Sequence, residues 1–249
     1  MSAVAVRLVF SDLDGSLLDH YSYSYAAALP QIEALERAGI PLILVSSKTR
    51  AEILSLRDEL ANRHPFIVEN GAAVFIPQQY FEEQPPDTVD RDGYWVYEMA
   101  PPRAQWLTVL KELEGEFPGC FDSFHRAGVA GIMAMTGLSQ EQATAANQRE
   151  YSEPVRWLAD PEREALFVQR LQDAGATVAR GGRFLAVAGL SDKGRALVWL
   201  RNCYQRAAGG AIADDIAIGD SANDCPMLEA AGTALLIRSP VHDFPALDK

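Results

Sequence analysis

The segment Asp12-Leu13-Asp14-Gly15-Ser16 follows directly on Val4–Phe10, an apolar stretch that is typical of a short buried strand. In open α/β sheets, ligands bind beyond the carboxyl ends of the strands. Two carboxylates two residues apart in a tight turn repel each other unless a cation or hydrogen-bond donors compensate. A calcium loop is excluded, because positions 6 and 12 counted from Asp12 hold Leu17 and Tyr23 instead of Gly and Glu. A solvated Asp-Gly turn is the plain alternative.

Strands and helices alternate on the carboxyl side of this segment. Helical spacing of apolar residues predicts helices over Ala26–Ala38 and Thr49–Leu60, and short apolar runs predict strands over Ile40–Val45 and Phe66–Val68. A strand–helix–strand–helix–strand order favours a parallel sheet with right-handed crossovers. The first part of the chain is therefore expected to form an α/β core.

The middle of the chain follows another pattern. Ala72–Ile76 and Tyr94–Met99 have the aromatic and β-branched content of strands, and Pro77–Gly93 between them is predicted as loop. Further on, we predict three helices, at Arg103–Glu116, from the capping box Ser139–Gln142 onwards and at Asp160–Ala174. Two predicted strands follow, at Thr177–Arg180 and Phe184–Ala188. The alternation of helices and strands then returns, with predicted helices at Lys193–Arg206 and Asn223–Ala230 and predicted strands at Ile216–Ile218 and Ala234–Ile237. We therefore expect a core of residues 1–79 and 190–249 and an inserted α+β domain of residues 80–189.

Composition narrows the class of protein. Hydrophobic residues make up 48% of the 249 residues, which is typical of a globular chain. The formal charge of −12 disfavours nucleic acid and anionic membranes as partners. Apolar runs such as Val129–Met135 are too short to span a bilayer, and Met1–Phe10 is too short for a signal sequence, so we expect a cytoplasmic protein. Three cysteines without a C-x-x-C pair argue against a disulfide framework or a zinc site.

Three more segments carry polar chemistry at predicted strand or helix ends. Gly219–Asp224 again sets carboxylates after a strand, so that Asp220, Asp12 and the Asp14 main-chain carbonyl could form an oxygen cage suited to Mg²⁺. Val45–Arg50 joins a strand to a helix N-terminus, a place where hydroxyls and backbone N–H groups bind phosphate or simply cap the helix. Ser191–Gly194 contributes Lys193, which by itself is as consistent with a solvated lysine.

The joint order of these four segments resembles the haloacid dehalogenase (HAD) superfamily of phosphohydrolases. Its four motifs match at Asp12 with Asp14, at Ser46, at Lys193, and at Asp220 with Asp224. Ser16 and Ser46 stand where Thr is frequent in the superfamily, but each keeps the hydroxyl. The resemblance implies a Rossmann-like, HAD-like α/β core with an inserted α+β cap domain that determines substrate specificity.

The resemblance also implies a mechanism and a cofactor. Asp12 would be the nucleophile that forms an aspartyl-phosphate, and Asp14 the general acid and then base. Mg²⁺ would be held by Asp12, Asp14 and Asp220. The remaining implied roles are transferring-phosphoryl binding by Ser46 and Lys193, and outer support of the metal and of Lys193 by Asn223 and Asp224.

A narrower resemblance, to the mannosyl-3-phosphoglycerate phosphatase family, covers nearly the whole chain. It is carried by Ser46–Arg50, Glu69–Gly71, Arg149–Pro154 and Gly181–Phe184. It implies hydrolysis of a phosphate monoester to mannosylglycerate and phosphate. The candidate substrate-binding residues are Ser47, Lys48, Arg50, Glu69, Asn70, Glu150, Glu153, Gly181, Gly182 and Arg183. Arg183 suits a bidentate grip on the glycerate carboxylate, and the two glutamates of the Arg149–Pro154 segment suit sugar hydroxyls; surface charges or a Gly-Gly hairpin turn are the alternatives.

Several alternatives stay open at this point. The substrate could be glucosyl-3-phosphoglycerate or another phosphorylated sugar. A phosphosugar mutase would keep the aspartyl-phosphate but pass it to a sugar, and the complete set of Asp12, Asp14, Lys193 and Asp220 argues against a non-catalytic sugar-phosphate sensor. The position of the insert after the second motif argues against a mutase. The sequence is compatible with a monomer or a homodimer, and Tyr21, Tyr23 and Tyr25 suit a cap or a dimer contact equally.

Overall fold

The computed structural model describes residues 6–181, 183–211, 213–241 and 243–247 of the chain. It divides into two compact units. The first comprises the described parts of Met1–Ser47, Leu56–Glu98 and Asp192–Lys249, and the second comprises Lys48–Ser55 and Met99–Ser191.

The described residues form twelve strands and eight α-helices. The strands are β1 (Val6–Ser11), β2 (Leu42–Val45), β3 (Phe66–Val68), β4 (Ala73–Pro77), β5 (Val89–Arg91), β6 (Tyr94–Glu98), β7 (Phe121–Ser123), β8 (Glu153–Trp157), β9 (Thr177–Gly181), β10 (Phe184–Ala188), β11 (Ala213–Gly219) and β12 (Thr233–Leu236). The helices are α1 (Leu29–Arg37), α2 (Arg50–Glu59), α3 (Arg103–Leu113), α4 (Phe124–Thr136), α5 (Gln140–Asn147), α6 (Pro161–Asp173), α7 (Lys193–Ala207) and α8 (Cys225–Ala230).

The first unit is built on an eight-stranded sheet with the strand order β12-β11-β1-β2-β3-β4-β6-β5. The five strands from β12 to β3 are parallel, and β4, β6 and β5 extend the sheet in antiparallel fashion. The side chains of β2 and β3 are all buried, as expected for central strands covered on both faces. The predicted α/β fold with a parallel-sheet core is confirmed.

The predicted start of the insert at residue 80 differs from the structure. β6 pairs with β4 from Tyr94↔Pro77 to Glu98↔Ala73, so residues 80–98 belong to the first unit. The stretch predicted as loop contains β5, which forms a hairpin with β6. The hairpin turn is Asp92-Gly93 with φ values of 49° and 83°. Asp-Gly is a strong two-residue hairpin signal, and the Pro- and acid-rich residues before it obscured this signal.

The second unit has an antiparallel sheet of order β7-β8-β10-β9 and the helices α3 to α6. Its core is formed by aromatic and aliphatic side chains such as Trp106, Phe117, Phe167 and Leu171. The capping box at Ser139 is present with both of its hydrogen bonds. The sequence reading assigned no element to β7, α4 or β8. In α4, a kink at Gly128, with φ 62° and ψ −176°, interrupts the helical pattern on which such a prediction depends.

Within the described part of the chain, every helix is too short or too polar to cross a lipid bilayer.

Candidate active site

Three neighbouring strands of the first unit deliver polar residues to the same edge of the sheet. β1 lies between β11 and β2, and the three strands are parallel. The residues that follow them are Asp12, Asp220 and Ser46. Since the carboxyl ends of parallel strands meet at one edge, segments far apart in sequence converge there.

Lys193 begins α7 and is fully buried. Its Nζ donates to Oδ1 of Asp12 at 2.5 Å and to Oδ1 of Asp224 at 2.6 Å. Burial alone would lower the pKa of Lys193, but the two carboxylates outweigh burial and raise it. Lys193 therefore stays charged beside Asp12.

Asp224 stabilises the acidic loop that follows β11, which comprises residues 220–224. While its Oδ1 binds Lys193, its Oδ2 accepts hydrogen bonds from the backbone N–H groups of Asp220 and Ser221, both at 3.0 Å. Asp224 is completely buried in a short 3-10 turn, Ala222–Asp224. Its contacts fix both the conformation of the loop and the position of the lysine.

Asp12, Asp220 and Asp224 are buried and each offers a carboxylate oxygen, all within 4.8 Å of one another. Lys193 contacts Asp12 and Asp224 directly. The Asp220 carboxylate also lies against Gly15, where a Cβ would overlap it. Closely spaced carboxylate oxygens are the hard donors that a small divalent cation such as Mg²⁺ prefers. The residues present fit that ion.

Burial raises the pKa of Asp12 from 3.8 to about 7. Lys193 opposes this shift, whereas Asp224 and Asp14 add to it. A divalent cation among these carboxylates would favour the charged form of Asp12, because an opposite charge stabilises the ionised carboxylate.

Asp14 lies in the turn after β1, where it forms an isolated bridge with Leu18. Gly15 has a φ of 85°, which its missing side chain permits. The hydroxyl oxygen of Ser16 is buried without a hydrogen-bond partner among the described residues. The turn thus combines a second carboxylate near Asp12 with an unused hydroxyl.

The second predicted motif lies beside another tight turn. Ser46 is buried at the end of β2, and its carbonyl oxygen accepts a hydrogen bond from the Asn70 N–H at 2.9 Å. Ser47 is half-buried next to it. Glu69 is buried, and Asn70 is half-buried.

The remaining predicted site residues belong to the second unit. Arg50 and Glu150, a hundred residues apart, form an ion pair at 2.8 Å. Lys48 is half-buried, and Arg183 is exposed with one N–H 3.4 Å from the Thr136 carbonyl oxygen. Gly181 ends β9, and Gly182 lies outside the described residues.

Glu153 is fully buried and has both carboxylate oxygens engaged. Oε2 accepts from Nε of Arg103 at 2.5 Å, and Oε1 accepts from the His125 N–H at 2.7 Å. These contacts join elements of the second unit. Because both carboxylate oxygens are engaged and buried, we do not include Glu153 among the proposed substrate contacts. The sequence reading missed Arg103, since nothing in the sequence pairs it with a glutamate fifty residues away.

Comparison with known proteins identifies the family. Residues 9–90 match the family of haloacid dehalogenase-like hydrolases. Over 234 residues, the chain is 36% identical to a glucosyl-3-phosphoglycerate/mannosyl-3-phosphoglycerate phosphatase of Methanococcoides burtonii, with 94% of this chain and 85% of the relative covered. The chain belongs to the haloacid dehalogenase-like phosphatases. Both resemblances read from the sequence are thereby confirmed.

Two further comparisons agree with this assignment. The haloacid dehalogenase-like phosphatase is 36% identical over 239 residues to a mannosyl-3-phosphoglycerate phosphatase of Pyrococcus furiosus, with 96% of this chain and 93% of the relative covered. Its fold is similar to that of a phosphatase of the same superfamily from Bacteroides thetaiotaomicron, with a TM-score of 0.66 and 19% identity over 95% of this chain and 86% of the other.

Proposed function

We propose that this phosphatase hydrolyses mannosyl-3-phosphoglycerate to mannosylglycerate and phosphate, that it depends on Mg²⁺ and that it acts in the cytoplasm. The observation that carries the proposal is the buried cluster of Asp12, Asp220, Asp224 and Lys193 at the carboxyl edge of the sheet. The names of the relatives supply the substrate class.

The proposed chemistry has two steps. A carboxylate oxygen of Asp12 attacks phosphorus, and the bond from phosphorus to the glycerate oxygen breaks while Asp14 donates a proton to that oxygen. Asp14 then takes a proton from water, whose oxygen attacks the phosphorus of the aspartyl-phosphate and releases inorganic phosphate and the Asp12 carboxylate. Ser46 and Lys193 bind the phosphoryl oxygens during both transfers.

The same residues would hold the metal ion. Asp12, Asp220 and the main-chain carbonyl of Asp14 are the proposed ligands, and Asp224 and Asn223 support them. Bound Mg²⁺ supplies positive charge that offsets the repulsion between the attacking carboxylate and the phosphate. Lys193 contributes to the same end, because its ammonium contacts Asp12 directly.

The second unit is the proposed cap domain that selects the substrate. Arg183 suits the glycerate carboxylate because it is an exposed guanidinium following two glycines. Arg50 and Glu150 suit the sugar, since the ion pair fixes both side chains. The remaining proposed contacts are Ser47, Lys48, Gly181 and Gly182, whereas Glu69 is buried and the Asn70 side chain is engaged with Asn223.

Glucosyl-3-phosphoglycerate is the second candidate substrate. The Methanococcoides burtonii relative is named for both sugars, as is a Persephonella marina relative that is 32% identical over 235 residues. The two sugars differ at one hydroxyl group. A mutase is less favoured because the insert follows the second motif, and a non-catalytic sensor is less favoured because the chain has the complete set of Asp12, Asp14, Lys193 and Asp220.

The test is phosphate release from both glycosyl-3-phosphoglycerates, measured with added Mg²⁺ and with EDTA. We expect metal-dependent release from the mannosyl compound and loss of at least about a hundredfold in Asp14→Asn, which removes the proton donor and acceptor. Asp58→Asn is the matched control, because Asp58 is an exposed carboxylate paired with Arg63. No release from either compound by the wild-type protein would refute the substrate assignment, and release unaffected by EDTA would refute the metal.

A further inference from the structure

The turn Glu69-Asn70-Gly71 has an unusual backbone. All three residues are left-handed, with φ values of 47°, 59° and 90°. Glycine takes this conformation freely and asparagine tolerates it, but it is costly for glutamate. Costly backbone conformations persist where surrounding contacts enforce them, and such residues cluster at functional sites.

The turn contacts three of the four segments that form the phosphate site. The Asn70 N–H donates to the Ser46 carbonyl oxygen at 2.9 Å. Gly71 lies so close to the backbone of Asp192 and Lys193 that a Cβ there would overlap the Asp192 carbonyl. The side chain of Asn70 accepts a hydrogen bond from Nδ2 of Asn223 at 3.1 Å, although 153 residues separate them.

The contact to Asn223 reaches the acidic loop itself. Asn223 lies in the 3-10 turn between Asp220 and Asp224, and its Oδ1 accepts a hydrogen bond from Ser221 Oγ at 2.5 Å. A shift of Asn223 would therefore move the turn that holds Asp224, and with it one of the two carboxylates bound to Lys193.

We infer that Asn70 is a positioning residue, which acts through Asn223 and Ser46 to hold the phosphate-binding groups in register. This inference deepens the proposed function and rests on it. Ser46, Lys193 and the acidic loop must all reach one phosphoryl group, and a misplacement of about 1 Å can cost about a hundredfold in rate. One turn that contacts all three segments is suited to prevent such a displacement.

Two variants break the contact from opposite sides. Asn70→Gly removes the side chain while keeping the left-handed backbone, and Asn223→Ala leaves the Glu69–Gly71 turn unchanged. Asp87→Gly is the matched control, because Asp87 is an exposed residue that is also left-handed, with φ 59°. The assay substrate is p-nitrophenyl phosphate, which has neither sugar nor glycerate, so a wrong substrate assignment would leave the test valid.

Two readouts are needed: kcat and KM, and the inhibition constant of inorganic phosphate. We expect each variant to lower kcat about tenfold and to weaken phosphate inhibition by several fold, at temperatures where circular dichroism shows a folded protein. The double variant should lose no more than the worse single variant, since both remove one contact. Asp87→Gly should match the wild type.

Three outcomes would overturn the inference. One is that both single variants stay within about twofold of the wild type in kcat and in phosphate inhibition. Another is that the double variant loses the product of the two single losses. The third is a lower unfolding temperature with unchanged kinetics, which would assign the contact to stability alone. If Asn70→Gly does not fold, Asn223→Ala still decides the matter.

Discussion

Lys193 is the residue on which the charge balance of the site depends. It is buried between Asp12 and Asp224, and a buried ammonium is tolerated only when carboxylates surround it. Asp12 in turn keeps a raised pKa of about 7, because burial outweighs the contact with Lys193. Without a bound cation, the surroundings of Asp12 thus disfavour its charged form.

In the absence of metal, the stability of Asp12→Asn relative to the wild type should increase as the pH rises from about 4 to about 7. The pKa of Asp12 is 3.8 in its ordinary state and about 7 in the folded chain, so the folded state binds the extra proton between these values. The contribution of Asp12 to stability therefore falls as the pH rises from about 4 to about 7. Asparagine does not ionise and removes this loss.

The measurement is urea unfolding of both proteins with EDTA at about pH 5 and about pH 8. The advantage of the variant should be larger at the higher pH, and Mg²⁺ should reduce it by stabilising the wild type. A stability difference between the two proteins that is the same at about pH 5 and about pH 8 would contradict the raised pKa of Asp12.

In the second unit, the ion pair between Arg103 and Glu153 joins four secondary-structure elements. Arg103 begins α3 and Glu153 begins β8. Arg103 also donates to the carbonyl and side-chain oxygens of Asn147 at the end of α5, and Glu153 accepts from the His125 N–H in the first turn of α4. This arrangement anchors the loop that carries Glu150, whose carbonyl accepts from the Arg103 N–H.

Glu153→Gln should destabilise the protein without impairing substrate binding. Removing one charge from a buried pair leaves the other partly uncompensated, so we expect a loss of about 2–4 kcal/mol in the free energy of unfolding. Glu114→Gln is the control in the same unit, because Glu114 pairs with Arg126 at the surface, where such a change costs less than about 1 kcal/mol.

Chemical denaturation and steady-state kinetics together separate the two roles of Glu153. The KM of Glu153→Gln should stay within about threefold of the wild-type KM under conditions in which the variant is folded. A tenfold or larger rise in KM with unchanged stability would contradict this prediction and indicate that Glu153 contacts the substrate.

For the whole molecule, the cysteines report on packing in each unit. Cys120 is buried in the second unit, Cys203 is buried in the first, and Cys225 at the start of α8 is partly exposed. Burial also raises the pKa of the Cys203 thiol to about 11, which keeps it protonated near neutral pH. Thiolates are the reactive form of cysteine.

A thiol titration with an aromatic disulfide reagent at about pH 8 should show one fast thiol, Cys225, in the native protein and three after denaturation. Cys225→Ser should abolish the fast phase. Fast reaction of a second thiol in that variant would show that one of the units opens far more readily than its buried core implies.

The sequence alone determined the fold class, the family and the residues of the four motifs. Buried strands are recognisable from short apolar runs, and the acidic and hydroxyl residues follow them directly at Asp12, Ser46 and Asp220. Local patterns suffice for such features, because each depends on neighbours within a few positions. The capping box at Ser139 was found for the same reason.

Only the tertiary structure decided which residues meet. The two carboxylates bound to Lys193, the contact of Asn70 with Asn223 and the pairing of Glu153 with Arg103 join positions between 31 and 181 residues apart. The same holds for the extent of the first unit, because β6 belongs to it through its pairing with β4. Charge compensation and burial depend on distance in space, and the sequence order of these residues carries no record of that distance.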